Sequence, residues 1–131
     1  MSKKILVIDD DEAIRLTFSL TLEDTGYRVD TAESGEIAIE MVKSTKYNLI
    51  FLDLKMPGMN GVETLRELHK IDKDVPVYIV TAFHNEFFDQ LKSLEQEGIE
   101  YELMKKPIGG PDLIAVTKGV LEGGTVIEGG E

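Results

Sequence analysis

The chain has 131 residues, 25 of them acidic against 14 Lys and Arg, for a net charge of −11, and it contains no cysteine. That length fits one domain with its own apolar core. The missing cysteines exclude disulfide scaffolds and thiolate chemistry, and the acidity opposes direct binding to nucleic acid, which needs Lys and Arg to displace counterions.

Lys4-Ile8 is a short β-branched run with no alternation, of the kind buried on both faces of a sheet, and acidic residues 9–12 end it. Ile14, Phe18 and Leu22 then recur at helical spacing, predicting a helix over 13–25 stopped by Gly26. Tyr27-Ala32 predicts a second strand. Ser34 is a candidate N-cap for a helix carrying Ile37, Ile39, Met41 and Val42. Asn48-Leu52 is a third strand, ended by Asp53, and a loop with Pro57, Gly58 and Gly61 leads into a helix over 62–70. Val75-Val80 predicts the fourth strand, 85–97 a helix stopped by Gly98, and Ile99-Met104 the fifth strand. A last helix is predicted over 112–121, with Gly119 inside it. Residues 122–131 hold four glycines and are expected to form a flexible tail.

Five strands alternating with five helices imply right-handed crossovers and a doubly wound parallel sheet with helices on both faces. Ligands of such sheets bind beyond the carboxyl ends of the strands. The residues there are Asp9 and Asp10, Asp53, Thr81, and Lys105-Lys106-Pro107. Carboxylates brought within about 4 Å of each other repel by roughly 4 kcal/mol at an effective dielectric near 20. A hard divalent cation such as Mg²⁺ offsets that repulsion. Carboxylates, a cation, a lysine and a hydroxyl together suit phosphoryl chemistry. Taken singly, each residue has a plainer reading as a turn, a cap or a solvated side chain; Asp11 and Glu12 are read that way.

The motifs Ile5-Leu6-Val7-Ile8-Asp9-Asp10, Leu49-Ile50-Phe51-Leu52-Asp53, Met56-Pro57-Gly58-Met59-Asn60-Gly61, Val80-Thr81-Ala82 and Lys106-Pro107 occur in one order along the chain. Together they resemble the receiver domain of two-component response regulators, the CheY-like superfamily, over about residues 3–121. The resemblance implies a flavodoxin-like strand order 2-1-3-4-5 and a receiver domain over 1–121. It implies that Asp53 is the phospho-acceptor and that Asp10, Asp53 and the Lys55 backbone carbonyl ligate Mg²⁺ (or Mn²⁺), with Asp9 acting through water. Thr81 and Lys106 would stabilise the phosphoryl group, Pro107 would follow a cis peptide, and Gly61 would supply an unusual backbone conformation at the loop's exit. A sensor histidine kinase or a histidine phosphotransfer protein is the implied partner, alongside an output target. No membrane segment and no export signal are read, so a cytoplasmic location is expected. No output domain is read, which leaves two readings, a stand-alone single-domain regulator and the receiver of a larger transcription factor.

The family often carries an aromatic residue three before this lysine, where the chain has Leu103; a bulge placing Tyr101 in that role is the alternative. A long polar residue at Lys55 implies slower loss of phosphate. Phe87 and Phe88 are expected to pack inward and His84 to lie at the surface. On the first helix, Ile14 and Phe18 form one stripe and Leu16 and Leu20 another; a wide buried face is the favoured reading. Should the second stripe be exposed, Ile14, Leu16, Phe18, Pro107 and Ile108 would form a partner surface. Two other functions compete: a pseudo-receiver that is never phosphorylated, and a Mg²⁺-dependent phosphohydrolase. The intact acidic set opposes the first. Lys55, at the position where a hydrolase usually places a second aspartate, opposes the second.

Overall fold

A computed structural model describes residues 3–123; the predicted tail beyond residue 123 lies outside the described residues. The elements run β1 (Lys4–Ile8), α1 (Glu12–Leu22), β2 (Arg28–Ala32), α2 (Gly35–Ser44), β3 (Leu49–Leu52), α3 (Gly61–Ile71), β4 (Val77–Thr81), α4 (Phe88–Gln96), β5 (Glu102–Lys105) and α5 (Gly110–Leu121). All strand pairs are parallel and the order is β2-β1-β3-β4-β5. The expected doubly wound sheet in the order 2-1-3-4-5 is the one observed.

The central strands are buried on both faces, which is why they read as continuous apolar runs. Along β1, Leu6 and Ile8 enter the core beneath α2, α3 and α4, whereas Ile5 and Val7 enter the core beneath α1 and α5. Along β3, Ile50 and Leu52 face the first core, and Leu49 and Phe51 the second. Phe51 anchors that second core, meeting Phe18 edge-on at 5.3 Å between ring centroids.

Several boundaries move, each for a local reason. The last turn of the first predicted helix tightens to 3₁₀ geometry over Glu23–Thr25 before Gly26, whose φ is +88°. The fourth helix likewise starts with a 3₁₀ turn over His84–Phe87. The fifth strand is shorter than predicted. Ile99 belongs instead to the end of α4: Gly98 takes φ +78°, and the Gly98 and Ile99 amides donate to the Glu95 and Leu94 carbonyls. This closing motif turns buried Ile99 back onto the core beside Leu94. The last helix starts two residues early, because Pro111 is pre-set for a first turn and Asp112 sits favourably within it.

The helix faces carry the larger corrections. Leu16 and Leu20 are exposed (56% and 59%), so α1 does not bury a wide face. Phe18, expected on the partner surface, is buried and cannot serve there. Phe87 packs inward, but Phe88 is 60% exposed. On α2 the buried residues are Gly35, Ala38 and Val42, while Ile37 faces outward.

Candidate functional site

The ends of β1 and β3 lie side by side because Ile8 pairs with Leu52. The Asp53 amide continues that ladder by donating to the Ile8 carbonyl. Asp9 and Asp53 therefore emerge together, and Asp10 follows. One carboxylate oxygen from each lies within 4.8 Å of the others, with Asp9 and Asp53 buried and Asp10 exposed. At the other end of the cluster, Thr81 pairs with Lys105, which places Lys106 beside the carboxylates. Lys106 Nζ donates to Asp9 Oδ2 at 2.7 Å and stands 3.6 Å from Asp53 Oδ1, within ion-pair reach but beyond hydrogen-bond length.

Asp9 is well satisfied, since its Oδ1 also accepts the Asp11 amide at 3.0 Å. Asp11 itself caps α1 by accepting the Ala13 amide, the plain role read for it. Asp53 is not satisfied: its Oδ1 is buried and has no hydrogen-bond partner. Burial and the neighbouring Asp9 charge push the Asp53 carboxyl up to about 6, with Lys106, the Leu54 amide and the Thr81 hydroxyl pulling the other way. For Lys106, burial works against the charged ammonium, but the Asp9 hydrogen bond and the charges of Asp53 and Asp9 outweigh it and raise its pKa. Converging carboxylates with one orphaned, buried oxygen fit a hard divalent cation that takes oxygen ligands. Asp10 and Asp53 are the two acidic side chains left open to it, because Asp9 is already engaged.

The loop geometry corrects one expectation. Gly61 has no left-handed backbone; the positive φ in this loop, +74°, belongs to Gly58. Gly61 is required by close approach. A Cβ there would lie 2.2 Å from the Asp53 carbonyl oxygen and 2.7 Å from Leu54 Cα. The Gly61 amide donates to the Leu54 carbonyl, locking α3 against the backbone of the acidic strand end. Asn60 and Glu63 close a capping box at the same point. The Lys106–Pro107 peptide is cis. Pro57 lies exposed on the rim of the loop.

Thr81 is fully buried, and its Oγ1 accepts the Phe83 amide at 3.1 Å. The β4–β5 register runs unbroken from Tyr78–Glu102 to Thr81–Lys105, so no bulge carries Tyr101 forward. Tyr101 lies before β5 and donates its hydroxyl to Glu95. Leu103 pairs with Ile79, two positions before the partner of Thr81. The Lys55 side chain turns toward the β4–α4 segment, 4.5 Å over the Phe83 ring and 3.4 Å from Glu86 Oε1. One contact escaped sequence reasoning: Arg15 donates to the Asp9 carbonyl at 2.7 Å. Its only signal is a cation one turn into a helix that starts beside an acidic cluster.

An open parallel α/β sheet with an acidic, lysine-flanked cleft at the carboxyl ends of β1 and β3 defines a small class of proteins. Residues 5–118 match the family model of the response regulator receiver domain, and the chain belongs to that family, the receiver of two-component systems. It is 36% identical over 121 residues to the alkaline phosphatase synthesis transcriptional regulatory protein PhoP of Bacillus subtilis, covering 92% of this chain and 49% of the relative. Similarity to the transcriptional regulatory protein AfsQ1 of Streptomyces coelicolor is also 36%, covering 92% and 52%. The chain thus spans about half the length of these curated relatives. Among solved structures, a CheY-like receiver domain protein from Methanospirillum hungatei superposes with a TM-score of 0.84 at 28% identity, covering 94% of this chain and 96% of that one. The response regulator TrrA from Thermotoga maritima, solved in complex with Mg²⁺-BeF, gives 0.76 at 34% identity, covering 91% and 99%. No helix among the described residues is long and apolar enough to cross a membrane.

Proposed function

We propose that this receiver accepts a phosphoryl group on Asp53 from a phosphohistidine of a sensor histidine kinase or a histidine phosphotransfer protein, and passes the signal on by changed protein contacts. The observation that carries the reading is the buried Asp53 oxygen that has no hydrogen-bond partner, within a cluster of carboxylates and in ion-pair reach of Lys106. An Asp53 carboxylate oxygen forms the new bond to phosphorus as the phosphorus–nitrogen bond breaks, and the imidazole leaves with the bonding electron pair. Asp10, Asp53 and the Lys55 carbonyl would hold Mg²⁺ or Mn²⁺, with Asp9 assisting through water. Bound there, the cation supplies charge neutralisation for the phosphoryl oxygens. Lys106 turns from Asp9 to a phosphoryl oxygen, and the Thr81 hydroxyl meets another. For docking of the phospho-donor, exposed Leu16, Leu20 and Pro107, with half-buried Ile14 and Ile108, offer an apolar surface beside the cleft.

The test is intact mass after incubation with acetyl phosphate and Mg²⁺, beside an Asp53→Asn control. One added phosphoryl group is expected, dependent on Mg²⁺ and absent from the control. With cation binding verified, no adduct from either acetyl phosphate or a phosphorylated histidine kinase would make this chain a pseudo-receiver.

A further inference from the structure

Helix α4 is lightly held. It has no side-chain cap, a 3₁₀ turn precedes it, and Leu91 and Leu94 are its own buried residues. Three polar ties bind it and its leading turn to the α3 side among the described residues. Lys55 Nζ lies 3.4 Å from Glu86 Oε1, and Asn60 Nδ2 donates to Gln90 Oε1 at 3.4 Å. Arg66 grips Glu97 in a fork, with Nε 2.9 and 3.1 Å from its two carboxylate oxygens and Nη2 2.8 Å from one of them. The ladder runs from the mouth of the acidic cleft to the far end of α4. Its first two rungs are long. The last has the two-pronged geometry that makes arginine–carboxylate pairs strong. Consistently, the Arg66 hydrogen bond holds the Glu97 carboxyl below its ordinary range, and the Glu97 hydrogen bond raises the Arg66 guanidinium.

We infer that the Arg66–Glu97 pair is a latch that keeps α4 on α3 and thereby restrains phosphoryl acceptance at Asp53. The inference rests on the acceptor reading above. A phosphoryl group on Asp53 brings acceptor oxygens that need donors. The Thr81 hydroxyl sits at the end of β4 and is engaged by the Phe83 amide, on the segment that leads straight into the 3₁₀ turn and α4. Drawing that segment toward Asp53 pulls on α4 as one piece, because packed helices shift between discrete arrangements and do not deform continuously. A tie at the far end of α4 therefore opposes the shift without touching the cleft. Arg66 and Glu97 are positioning residues in this scheme, and releasing them raises the fraction of chains in the competent arrangement.

The test is a double-mutant cycle of R66Q, E97Q and R66Q/E97Q, with two readouts on the full chain. The first is the rate of Asp53 adduct formation with acetyl phosphate and Mg²⁺. The second is amide exchange across α4 against β3. Each single variant is expected to accept phosphate about two- to fivefold faster, the span open to a partly exposed ion pair. The double variant should be no faster than either single one. Exchange across α4 should rise while β3 is unchanged. Unaltered rates, or a double effect equal to the product of the single effects, would overturn the latch. Should no chain take an adduct, the unsubstituted one included, the acceptor reading fails. The restraint on acceptance then falls with it, and exchange decides only the mechanical half: faster in α4 shows that the pair holds α4 on α3, unchanged shows that it does not.

Discussion

Asp53 is the carboxylate of the acidic cluster whose buried oxygen has no hydrogen-bond partner. Its carboxyl is raised to about 6 from an ordinary 3.8 because burial and Asp9 both disfavour its charge. In cation-free protein the native state then holds this proton more tightly than the unfolded chain does. The contribution is fully present below about pH 4 and is lost as the pH rises through about 6. The shift corresponds to about 3 kcal/mol held against the ionised fold. Asp53→Asn should therefore be more stable than the parent by about 1–3 kcal/mol at pH 7.5 in the presence of a chelator, with the difference vanishing near pH 4. Urea unfolding of both proteins across that range checks it, and equal stabilities at pH 7.5 would contradict it. The sequence placed Asp9, Asp10, Asp53, Thr81 and Lys106 at strand ends, where apolar runs stop. It could not show that Lys106 stands nearer Asp9 than Asp53, because that depends on side chains 53 and 97 positions away from it.

At the scale of elements, the junction of the β3–α3 loop with α3 illustrates how a motif can be legible while its reason is not. Gly61 stands out in the sequence as a loop glycine, but nothing local reveals that its α-carbon lies against the backbone of the acidic strand end. Gly61→Ala should push α3 off that strand end, since the atoms a Cβ would meet are backbone and cannot turn aside. The expected cost is about 1–3 kcal/mol, together with weaker Mg²⁺ binding. Chemical unfolding and a Mg²⁺ titration check both effects; unchanged values would show that the loop relaxes freely. Helix ends followed the same pattern. Ser34 and Gly98 could be read as caps because capping residues act on their immediate neighbours. The reach of α4's closing motif, which removes Ile99 from the fifth strand, could not.

Across the whole molecule, the sheet separates two cores, and α5 covers one of them. Leu113, Thr117 and Leu121 are its buried residues, and the Thr117 hydroxyl is fully buried with no hydrogen-bond partner. A buried hydroxyl without a partner forfeits its hydration and gains nothing in exchange. Thr117→Val keeps the shape and removes that loss, so it should stabilise the fold by about 1 kcal/mol, read as a higher midpoint of urea unfolding at unchanged slope. A lower midpoint would mean the hydroxyl has a partner in solution. Such an orphan is invisible in the sequence, where Thr117 reads as one more mid-helix threonine.

By itself the sequence determined the strands, their alternation with helices, and the residues gathered at the carboxyl edge. Burial on both faces writes continuous apolar runs, and each site residue is simply the one where a run ends. The motifs, taken in order, also determined the family. Only the tertiary structure decided which apolar residues of α1, α2 and α4 meet water, since Leu16, Ile37 and Phe88 carry the same local signal as their buried neighbours. It alone decided which glycine needs positive φ, which carboxylate holds the lysine, and how Arg66 finds Glu97. These outcomes depend on distances between segments far apart in the chain, set by how the layers pack, and no local pattern encodes them.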